Sequence, residues 1–387
     1  MKVLTVLTYY RPHTSGLTIY VERLAKSLVK LGHEVTVLTS QYSKDLPLEE
    51  IQDGVRVIRV PVLFRVSKGV IMPTFGWLAW KLVREHDILH LHLPQFDAAG
   101  VALRGRLLRK PTIITYHCDL KLPKSPINWF INAVVHIMNT LAGLFVDKIA
   151  AYTEDFSSHS PYLQRFSNKV KVILPPVSMP KTTDDQVSSF QKEYNPTRRS
   201  PVIGMATRFA SEKGVEILLN ALPKVMERYP DAAVLYAGQY QDVMGEAAYY
   251  SRLLPQIESY QAAGKWKFLG VLNPEEMSLF YKCLDVLVVP SLNSTETFGL
   301  VQIEAMIQGI PTVVSNLPGV RVPPKLTGMG EVVPIGDSEA LADSIIQIFS
   351  VPEHYQGSPQ EIEKQFSPLV NAEAYQSIYQ SLLKDLP

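Results

Sequence analysis

Two glutamates eight positions apart, Glu296 and Glu304, bracket a Phe-Gly step in the segment ETFGLVQIEA. The run VLVVPS before them predicts a buried strand, and the residues after it predict a helix that begins near Phe298 and ends near Gly309. The first N–H groups of a helix lack partners within the helix and carry positive potential, so they can bind a phosphate. The candidate donors are the backbone N–H groups of Phe298, Gly299, Leu300 and Val301.

Glu304 lies one helical turn beyond Leu300, on the same face of the predicted helix. A carboxylate there could accept hydrogen bonds from a ribose attached to that phosphate, while Glu296 would face the other end of the ligand. Taken singly, either acid is more often structural: Glu296 as a cap on the helix dipole, Glu304 as a surface group. Both acids around one strand-to-helix turn favour a nucleotide site.

A second strand-to-helix turn, TRFASEKG, carries Arg208 and Lys213 after a predicted strand at 201–207. Arginine can clamp a diphosphate with two parallel hydrogen bonds, and lysine adds a point charge. By themselves, these two cations are more often a solvated pair. Their position at the carboxyl end of a strand, like that of the two glutamates, favours a diphosphate site.

Two loops of the N-terminal half also follow predicted strands. RPHTSGLTIY (11–20) contains a Ser-Gly turn before a helix, which is another candidate anion-binding terminus. TYHCD (115–119) places His117 where it could bind a sugar hydroxyl or assist proton transfer, although a structural histidine is equally expected.

His90 and His92 share one face of a strand without an evident third ligand, so no metal site is predicted. The chain contains neither Asp-x-Asp nor Gly-x-Gly-x-x-Gly, and the missing glycine fingerprint argues against a dehydrogenase.

Length and composition predict two globular domains, because the chain has 387 residues of which 46% are hydrophobic and 19% charged. The net charge of +1 is unevenly distributed. Residues 1–175 carry 22 Lys+Arg against 13 Asp+Glu (net +9), whereas residues 176–387 carry 16 against 24 (net −8). The basic half, with RGRLLRK at 104–110, suggests an anionic surface or substrate, although a solvated charged face is the commoner explanation of such a charge distribution; no nucleic-acid partner is predicted. Two distant cysteines and a short apolar N-terminus without a cleavage site predict a cytoplasmic protein without disulfides.

Residues 127–146 contain no formal charge over twenty positions, the length of a membrane span. Asparagines, a histidine and a threonine interrupt the segment, and such groups are costly in the bilayer centre. A buried or interfacial helix is therefore predicted, with peripheral contact to an anionic membrane as the associated hypothesis.

Strand and helix patterns alternate along the chain, which predicts an α/β protein with parallel sheets covered on both faces. Proline-rich, polar residues 176–200 interrupt the alternation and predict a linker. The predicted domains are an N-terminal doubly wound domain at 1–175 and a second at 201–368, with a C-terminal helix at 369–387 joining the first. Ligands of such sheets bind at the carboxyl ends of the strands, and a cleft between the two domains is the expected location.

Together, ETFGLVQIEAM, TRFASEKG, SGLTIYVERLAKSLVKLGHEVTVLT and TYHCD resemble the retaining GT-B glycosyltransferases of family 4, in order and spacing over nearly the whole chain. The resemblance implies two Rossmann-like domains facing a central cleft. It also implies transfer of a hexose-type sugar from a nucleotide diphosphate sugar (UDP- or GDP-hexose) to a hydroxyl acceptor, either lipid-linked or a glycan. No metal and no other cofactor are expected.

The resemblance also implies roles for individual residues. Glu304 matches the ribose-binding acid, Arg208 and Lys213 the pair on the donor diphosphate, and Glu296 the acid beside the donor sugar. His117 matches a residue that reaches the donor sugar, and Gly16 a glycine of the loop over the diphosphate. Arg11, His13 and Asp119 are the candidate acceptor residues. Many members carry Gly-Gly in this loop, where this chain has Ser15-Gly16-Leu17. Leucine adopts positive φ less readily than glycine, which puts the contact of the loop with donor or acceptor in question.

Two other functions remain open at this stage. A non-hydrolysing sugar-nucleotide epimerase shares the two-domain plan and would release an epimerised nucleotide sugar without an acceptor. A non-catalytic nucleotide-sugar-binding protein would be expected to lack one of the four charged residues Glu296, Glu304, Arg208 and Lys213, and all four are present.

Overall fold

The computed structural model describes residues 1–66, 69–120 and 126–385, which separate into two compact units. Unit 1 comprises Met1–Pro176 with the C-terminal residues from Phe366, and unit 2 comprises Val177–Gln365. The first strands are β1 Lys2–Val6, β2 Glu34–Gln41, β3 Glu49–Gln52, β4 Val55–Pro61, β5 Phe64–Val66, β6 Gly69–Ile71, β7 Ile88–Leu93, β8 Thr112–Tyr116, β9 Lys148–Ala151 and β10 Val170–Val172. The helices among them are α1 Gly16–Lys30, α2 Phe75–Glu85, α3 Ala98–Leu107, α4 Pro126–Phe145, α5 Glu154–His159 and α6 Pro161–Arg165.

The main sheet of unit 1 has the order β10-β9-β8-β7-β1-β2-β4-β3, parallel except for the β3–β4 pair. β7 shows how the sheet divides its two faces, because successive side chains of a strand point to opposite sides. Leu89, Leu91 and Leu93 join the hydrophobic core beneath α2, α3 and α4. His90 and His92 point to the other face, where His90 contacts α15 (Pro368–Lys384). Both faces of this parallel sheet are therefore covered.

Unit 2 contains β11 Val202–Ala206, β12 Ala233–Ala237, β13 Trp266–Gly270, β14 Val286–Val289, β15 Thr312–Ser315 and β16 Gly330–Val333. Its helices are α7 Asp184–Tyr194, α8 Val215–Arg228, α9 Ala247–Ala262, α10 Pro274–Lys282, α11 Leu300–Ile307, α12 Val322–Thr327, α13 Ser338–Ser350 and α14 Pro359–Gln365. The strand order is β13-β12-β11-β14-β15-β16, and the pairs are parallel. The predicted α/β fold with two Rossmann-like domains is confirmed.

Residues 176–200, predicted as a linker, instead contain α7. Thr183 caps this helix in a capping box with Gln186, and Phe190 is buried in the core of unit 2. The prolines that suggested a linker lie on both sides of α7 rather than within it. A single buried aromatic residue on a polar helix gives little periodicity to detect.

The C-terminal helix α15 belongs to unit 1 and packs against α1. The hydroxyl groups of Tyr20 on α1 and Tyr375 on α15 are 2.8 Å apart, and both side chains are fully buried. On the same helix, the Tyr379 hydroxyl lies 2.7 Å from Nδ1 of His90. The last helix therefore completes the core on the side of the sheet opposite α2–α4.

Candidate functional site

The candidate donor site lies where the sheet of unit 2 changes direction. β11 and β14 are neighbours, and the chain runs outward from them to β13 on one side and to β16 on the other. In doubly wound sheets, loops that leave the carboxyl ends of such strands form the ligand-binding crevice. The loop after β11 contains Arg208 and Lys213, and the loop after β14 contains Glu296 and Gly299.

Backbone contacts fix the two loops against each other. The N–H of Leu292 donates to the carbonyl oxygen of Glu212 at 2.9 Å. Gly214 adopts a left-handed conformation with φ of 73°, and a Cβ there would lie 2.0 Å from the carbonyl oxygen of Pro290. Only glycine permits both this conformation and this approach. The positions of Lys213 and of the β14 loop are therefore set by the main chain.

The charged side chains of the site form two ion pairs. Nζ of Lys213 lies 2.7 Å from Oε2 of Glu296, with both side chains about four-fifths buried (17% and 20% exposed). Arg208 pairs with Glu212, four residues further along the chain. Two cations and two carboxylates balance within the protein, so a bound diphosphate would have to replace Glu212 and Glu296 as the partners of Arg208 and Lys213.

The helix after the second loop, α11, begins without a side-chain cap among the described residues. Gly299 stands at the cap position with φ of 72°. The side-chain amide of Gln302 donates to the carbonyl oxygens of Phe298, at 2.6 Å, and Val320, at 3.1 Å. Phe298 is 1% exposed and anchors the turn in the core. Gln302 and Phe298 therefore fix the turn on its core side. The backbone N–H groups of Leu300 and Val301 lie at the N-terminus of the helix, where the helix dipole produces a positive potential.

Glu304 is 7% exposed, which excludes the surface-acid interpretation. The Tyr281 hydroxyl, from α10, donates to its Oε2 at 2.9 Å. A buried carboxylate needs hydrogen-bond donors, and tyrosine supplies one while leaving the remaining acceptor positions to other partners. A carboxylate oriented in this way on the first turns of α11 can accept hydrogen bonds from a vicinal diol such as ribose.

His117 lies at the carboxyl end of β8 in unit 1 and is 7% exposed. Its Nε2 is 3.0 Å from Nδ1 of His92, and its Nδ1 makes a hydrogen bond with the Tyr152 hydroxyl. Burial, together with the charge of the neighbouring His90, lowers the pKa of His117 to about 3, so the imidazole is neutral at physiological pH. Both ring nitrogens are thus occupied within the protein, and a sugar contact by this side chain would replace one of these hydrogen bonds.

The other candidate residues of unit 1 are distributed over two loops. Arg11 pairs with Glu22 of α1 at 2.5 Å, and His13 stacks on Tyr9 with ring centroids 4.9 Å apart. Asp119 accepts hydrogen bonds of 2.8 Å from the hydroxyls of Tyr116 and Ser160. Each of these residues therefore has structural partners already.

Gly16 is the first residue of α1, which Ser15 caps in a capping box with Thr18. Leu17 lies within this right-handed helix, so the chain does not require positive φ at that position. Leucine instead of a second glycine at position 17 is therefore compatible with the backbone of this loop.

Several partners of the site were missed by sequence reasoning, notably Glu212, Tyr281, Gln302 and Tyr152. Glu212 stands four residues after Arg208, a spacing that signals an ion pair on a helical turn. Tyr281 and Tyr152 lie far from their partners in sequence, and no local pattern marks them.

Among the described residues, no group of three His, Cys, Asp or Glu side chains is arranged to hold a metal ion. Within the same part of the chain, no helix is both long and apolar enough to cross a bilayer.

Comparison with known proteins places these features in a family. Residues 14–179 match the model described as Glycosyltransferase Family 4, and residues 187–364 match the model described as Glycosyl transferases group 1. An uncharacterized glycosyltransferase of Methanocaldococcus jannaschii is 27% identical over 82% of this chain and 81% of its own length. A phosphatidyl-myo-inositol mannosyltransferase of Mycobacterium leprae is 24% identical over 99% of this chain and 97% of its own length.

Solved structures share the fold at lower sequence identity. The Anabaena protein HepE, solved in complex with UDP-glucose, superposes with a TM-score of 0.77 at 18% identity, covering 98% of this chain and all of that one. Sucrose-phosphate synthase from Thermosynechococcus elongatus superposes with a TM-score of 0.73 at 20% identity, covering 99% of each chain. Two family models matched in tandem, and a fold shared over almost the whole length, show that the chain belongs to the GT-B glycosyltransferases.

Proposed function

We propose that the chain is a retaining, family 4 enzyme that transfers a hexose-type sugar from a UDP- or GDP-hexose to a hydroxyl acceptor without a metal ion. The observation that carries the proposal is the constellation in unit 2. Lys213 and Glu296 meet at 2.7 Å where the loops after β11 and β14 converge, and Glu304 lies buried on the helix that follows. Cations, a helix terminus and a diol-binding carboxylate are what a nucleotide diphosphate sugar requires.

The donor would exchange the internal ion pairs for ligand contacts. Its diphosphate would take Lys213 from Glu296 and Arg208 from Glu212, while the backbone N–H groups at 299–301 bind the phosphate next to the sugar. Glu296, released from Lys213, would then accept hydrogen bonds from hydroxyls of the hexose. Glu304 would keep its hydrogen bond from Tyr281 and bind the ribose. Cations that neutralise the diphosphate remove the need for a divalent metal.

In the transfer step, the bond between the anomeric carbon and the diphosphate oxygen breaks, and a bond to the acceptor oxygen forms on the same face of the sugar. The acceptor proton passes to the departing phosphate. Because Arg208 and Lys213 stabilise the negative charge that develops on the leaving group, electrostatic stabilisation is the main contribution of the protein. Only one carboxylate, Glu296, is assigned to the sugar, so no covalent glycosyl intermediate is included.

Unit 1 would contribute His117 to the donor sugar, Gly16 to the diphosphate loop, and Arg11, His13 and Asp119 to the acceptor. Relatives named as phosphatidyl-myo-inositol mannosyltransferases and D-inositol 3-phosphate glycosyltransferases support a hydroxyl acceptor that carries an anionic group. The net charge of +9 over residues 1–175 agrees with such an acceptor, whether lipid-linked or a glycan.

The test is release of nucleoside diphosphate from a panel of UDP-, GDP- and ADP-sugars in the presence of EDTA. We expect one donor to be hydrolysed slowly without an acceptor, and Arg208→Ala and Glu296→Gln to reduce that rate by about 100-fold or more, as for loss of one electrostatic contact in an active site. Matched controls are Arg228→Ala and Glu258→Gln, exposed positions on α8 and α9. Equal rates in site and control variants would contradict the assignment. An epimerised nucleotide sugar as product would establish the epimerase instead.

A further inference from the structure

The helices α2, α3 and α4 of unit 1 form one layer over the sheet, and the outward side of this layer is unusually apolar. α2 packs on α3, and α3 packs on α4. Three of the chain's four tryptophans are exposed here, whereas Trp266 of unit 2 is 3% exposed. The exposed apolar side chains of the layer are Trp77 (73%), Trp80 (39%), Leu103 (41%), Leu107 (64%), Trp129 (72%), Phe130 (63%), Ile137 (56%), Leu141 (37%) and Leu144 (57%).

The inward sides of the same helices account for the normal core. Ala79 and Leu82 of α2, Val101 of α3 and Ala142 of α4 are buried against the sheet. The outward tryptophans are therefore not needed to fold unit 1. Large aromatic side chains that stay in water, gathered on one layer, indicate a surface that contacts something else.

The charge of this layer is strongly one-sided. α2, α3 and α4 together contain Lys81, Arg84, Arg104 and Arg106 but one acid, Glu85. Lys81, Arg84 and Arg106 are exposed, and none of the three forms a salt bridge with another described residue. A surface depression on α2 is lined by Trp77, Trp80, Lys81, Arg84 and Glu85, so aromatic and cationic side chains alternate on the same patch.

We propose that this outward face, hereafter the α2–α4 face, docks onto an anionic membrane surface with its helices lying in the plane of the interface. Tryptophan is favoured at the level of lipid headgroups, where the ring is buried and the indole N–H remains hydrated. The cations would contact the anionic headgroups, which attract basic residues near the surface. Membrane docking by this face is a property separate from sugar transfer and does not depend on it. A lipid-linked acceptor would be reached from such a surface.

A second copy of the chain fits this face less well. In a two-fold symmetric dimer the same patch meets itself, so the exposed cations of one copy would approach those of the other with few acids to balance them. A bilayer containing anionic lipids supplies both the apolar phase and the negative charge.

The test is flotation of the purified full-length protein with lipid vesicles. The vesicles are phosphatidylcholine alone, or phosphatidylcholine with about 30% phosphatidylglycerol, in about 0.1 M and about 0.5 M NaCl. We expect binding to the anionic vesicles at low salt, weaker binding at high salt, and a blue shift of tryptophan emission on binding. Lys81→Ala/Arg84→Ala should lower the partition coefficient by about 30-fold, because each cation near an anionic surface contributes roughly fivefold.

The apolar part is tested with Trp77→Ser/Trp129→Ser, which should bind more weakly to both kinds of vesicle. The matched control is Met244→Ser/Val271→Ser, which removes two side chains of unit 2 that are 65% and 64% exposed. Circular dichroism and release of nucleoside diphosphate show whether each variant is folded, so loss of docking is separated from failure of the transferase proposal. Absence of flotation by the wild type, or equal flotation of the face and control variants, would overturn the proposal. A dimer in light scattering that Trp129→Ser converts to a monomer, without flotation, would assign the face to a second copy and also overturn it.

Discussion

Three buried histidines should make the stability of unit 1 depend steeply on pH. His90, His92 and His117 are each at most 7% exposed, and their rings contact one another in sequence, with 4.4 Å between the centroids of His90 and His92 and 5.2 Å between those of His92 and His117. Burial lowers the pKa of His90 to about 3, lowers that of His117 to about 3, and lowers that of His92 well below its ordinary value. The titratable groups that face them are the tyrosines Tyr20, Tyr152, Tyr375 and Tyr379. Burial raises the pKa of Tyr20 to about 12 and those of Tyr375 and Tyr379 well above the ordinary value.

The sign follows from proton uptake on unfolding. A histidine whose pKa falls on folding is protonated in the unfolded chain below about pH 6.5 but remains neutral in the folded one. Its contribution to stability is complete above that value and is lost as the pH falls toward the folded pKa of about 3. Between about pH 7 and about pH 5, each such residue should remove roughly 2 kcal/mol from the free energy of unfolding.

The decisive comparison is between wild type and His90→Gln. Glutamine can keep one hydrogen bond, to Thr115 or Tyr379, but does not titrate. Hydrogen exchange of peptides covering β7 and β8, corrected for intrinsic rates, reports the opening free energy of this sheet alone. We expect the loss between about pH 7 and about pH 5 to be smaller by roughly 2 kcal/mol in the variant. The control is His136→Gln on α4, an exposed position. Equal pH dependence in wild type and His90→Gln would show that protonation of His90 does not contribute to the loss of stability.

Three further predictions concern unit 2. Tyr281→Phe removes the 2.9 Å hydrogen bond to Glu304. Because hydrogen bonds to charged groups contribute roughly 1.5–3 kcal/mol, calorimetry should show a nucleotide affinity about tenfold lower. Unchanged affinity would show that Glu304 does not bind the nucleotide. Gly214→Ala should lower the free energy of unfolding by about 3 kcal/mol, because left-handed strain and a 2.0 Å clash with Pro290 add together. Gly245 also has a positive φ, but a Cβ added there would have no neighbouring atom within 4 Å. If Gly214→Ala and Gly245→Ala lose the same stability in urea titrations, the clash with Pro290 does not contribute. Donor turnover should be the same in EDTA and in Mg²⁺, because the cations of the β11 loop neutralise the diphosphate; activation by Mg²⁺ would show that they are insufficient.

The strands were the most predictable part of the fold, since buried parallel strands leave continuous apolar runs. The predicted strand 201–207 contains β11, Val202–Ala206, and the run VLVVPS contains β14, Val286–Val289. Helix starts with a capping residue carry an equally local signal, as where Asn273 caps α10 with Glu276 in a capping box. These signals are local, so one sequence contains them in full.

The charged part of the site was predictable in composition but not in pairing. Residue types at strand ends indicated Lys213 and Glu296 as separate ligand contacts, yet the two side chains form an ion pair with each other. Glu304 was expected on the helix, but its burial and its bond from Tyr281 depend on how α10 packs against α11. Such contacts join residues distant in sequence, and a single sequence does not record them.

The histidines of unit 1 illustrate the same limit. His90, His92 and His117 were assigned separately, as a superficial metal motif and a candidate sugar contact. In the structure they form one buried cluster closed by Tyr379 and Tyr152. The parallel register that brings β7 beside β8, with His92 opposite Thr115, creates this cluster and is a property of the sheet rather than of either strand.

In the proposed function the loops after β11 and β14 bind a nucleotide diphosphate sugar, and hydrogen-exchange mass spectrometry with a saturating donor measures that binding at the loops themselves. The experiment compares the free protein with the protein in UDP-glucose or GDP-mannose. We expect strong protection within unit 2 in peptides covering residues 206–214 and 293–304, and loss of that protection in Arg208→Ala. Saturable binding with protection of unit 2 confined to other segments, or no protection with any donor, would contradict the proposed function.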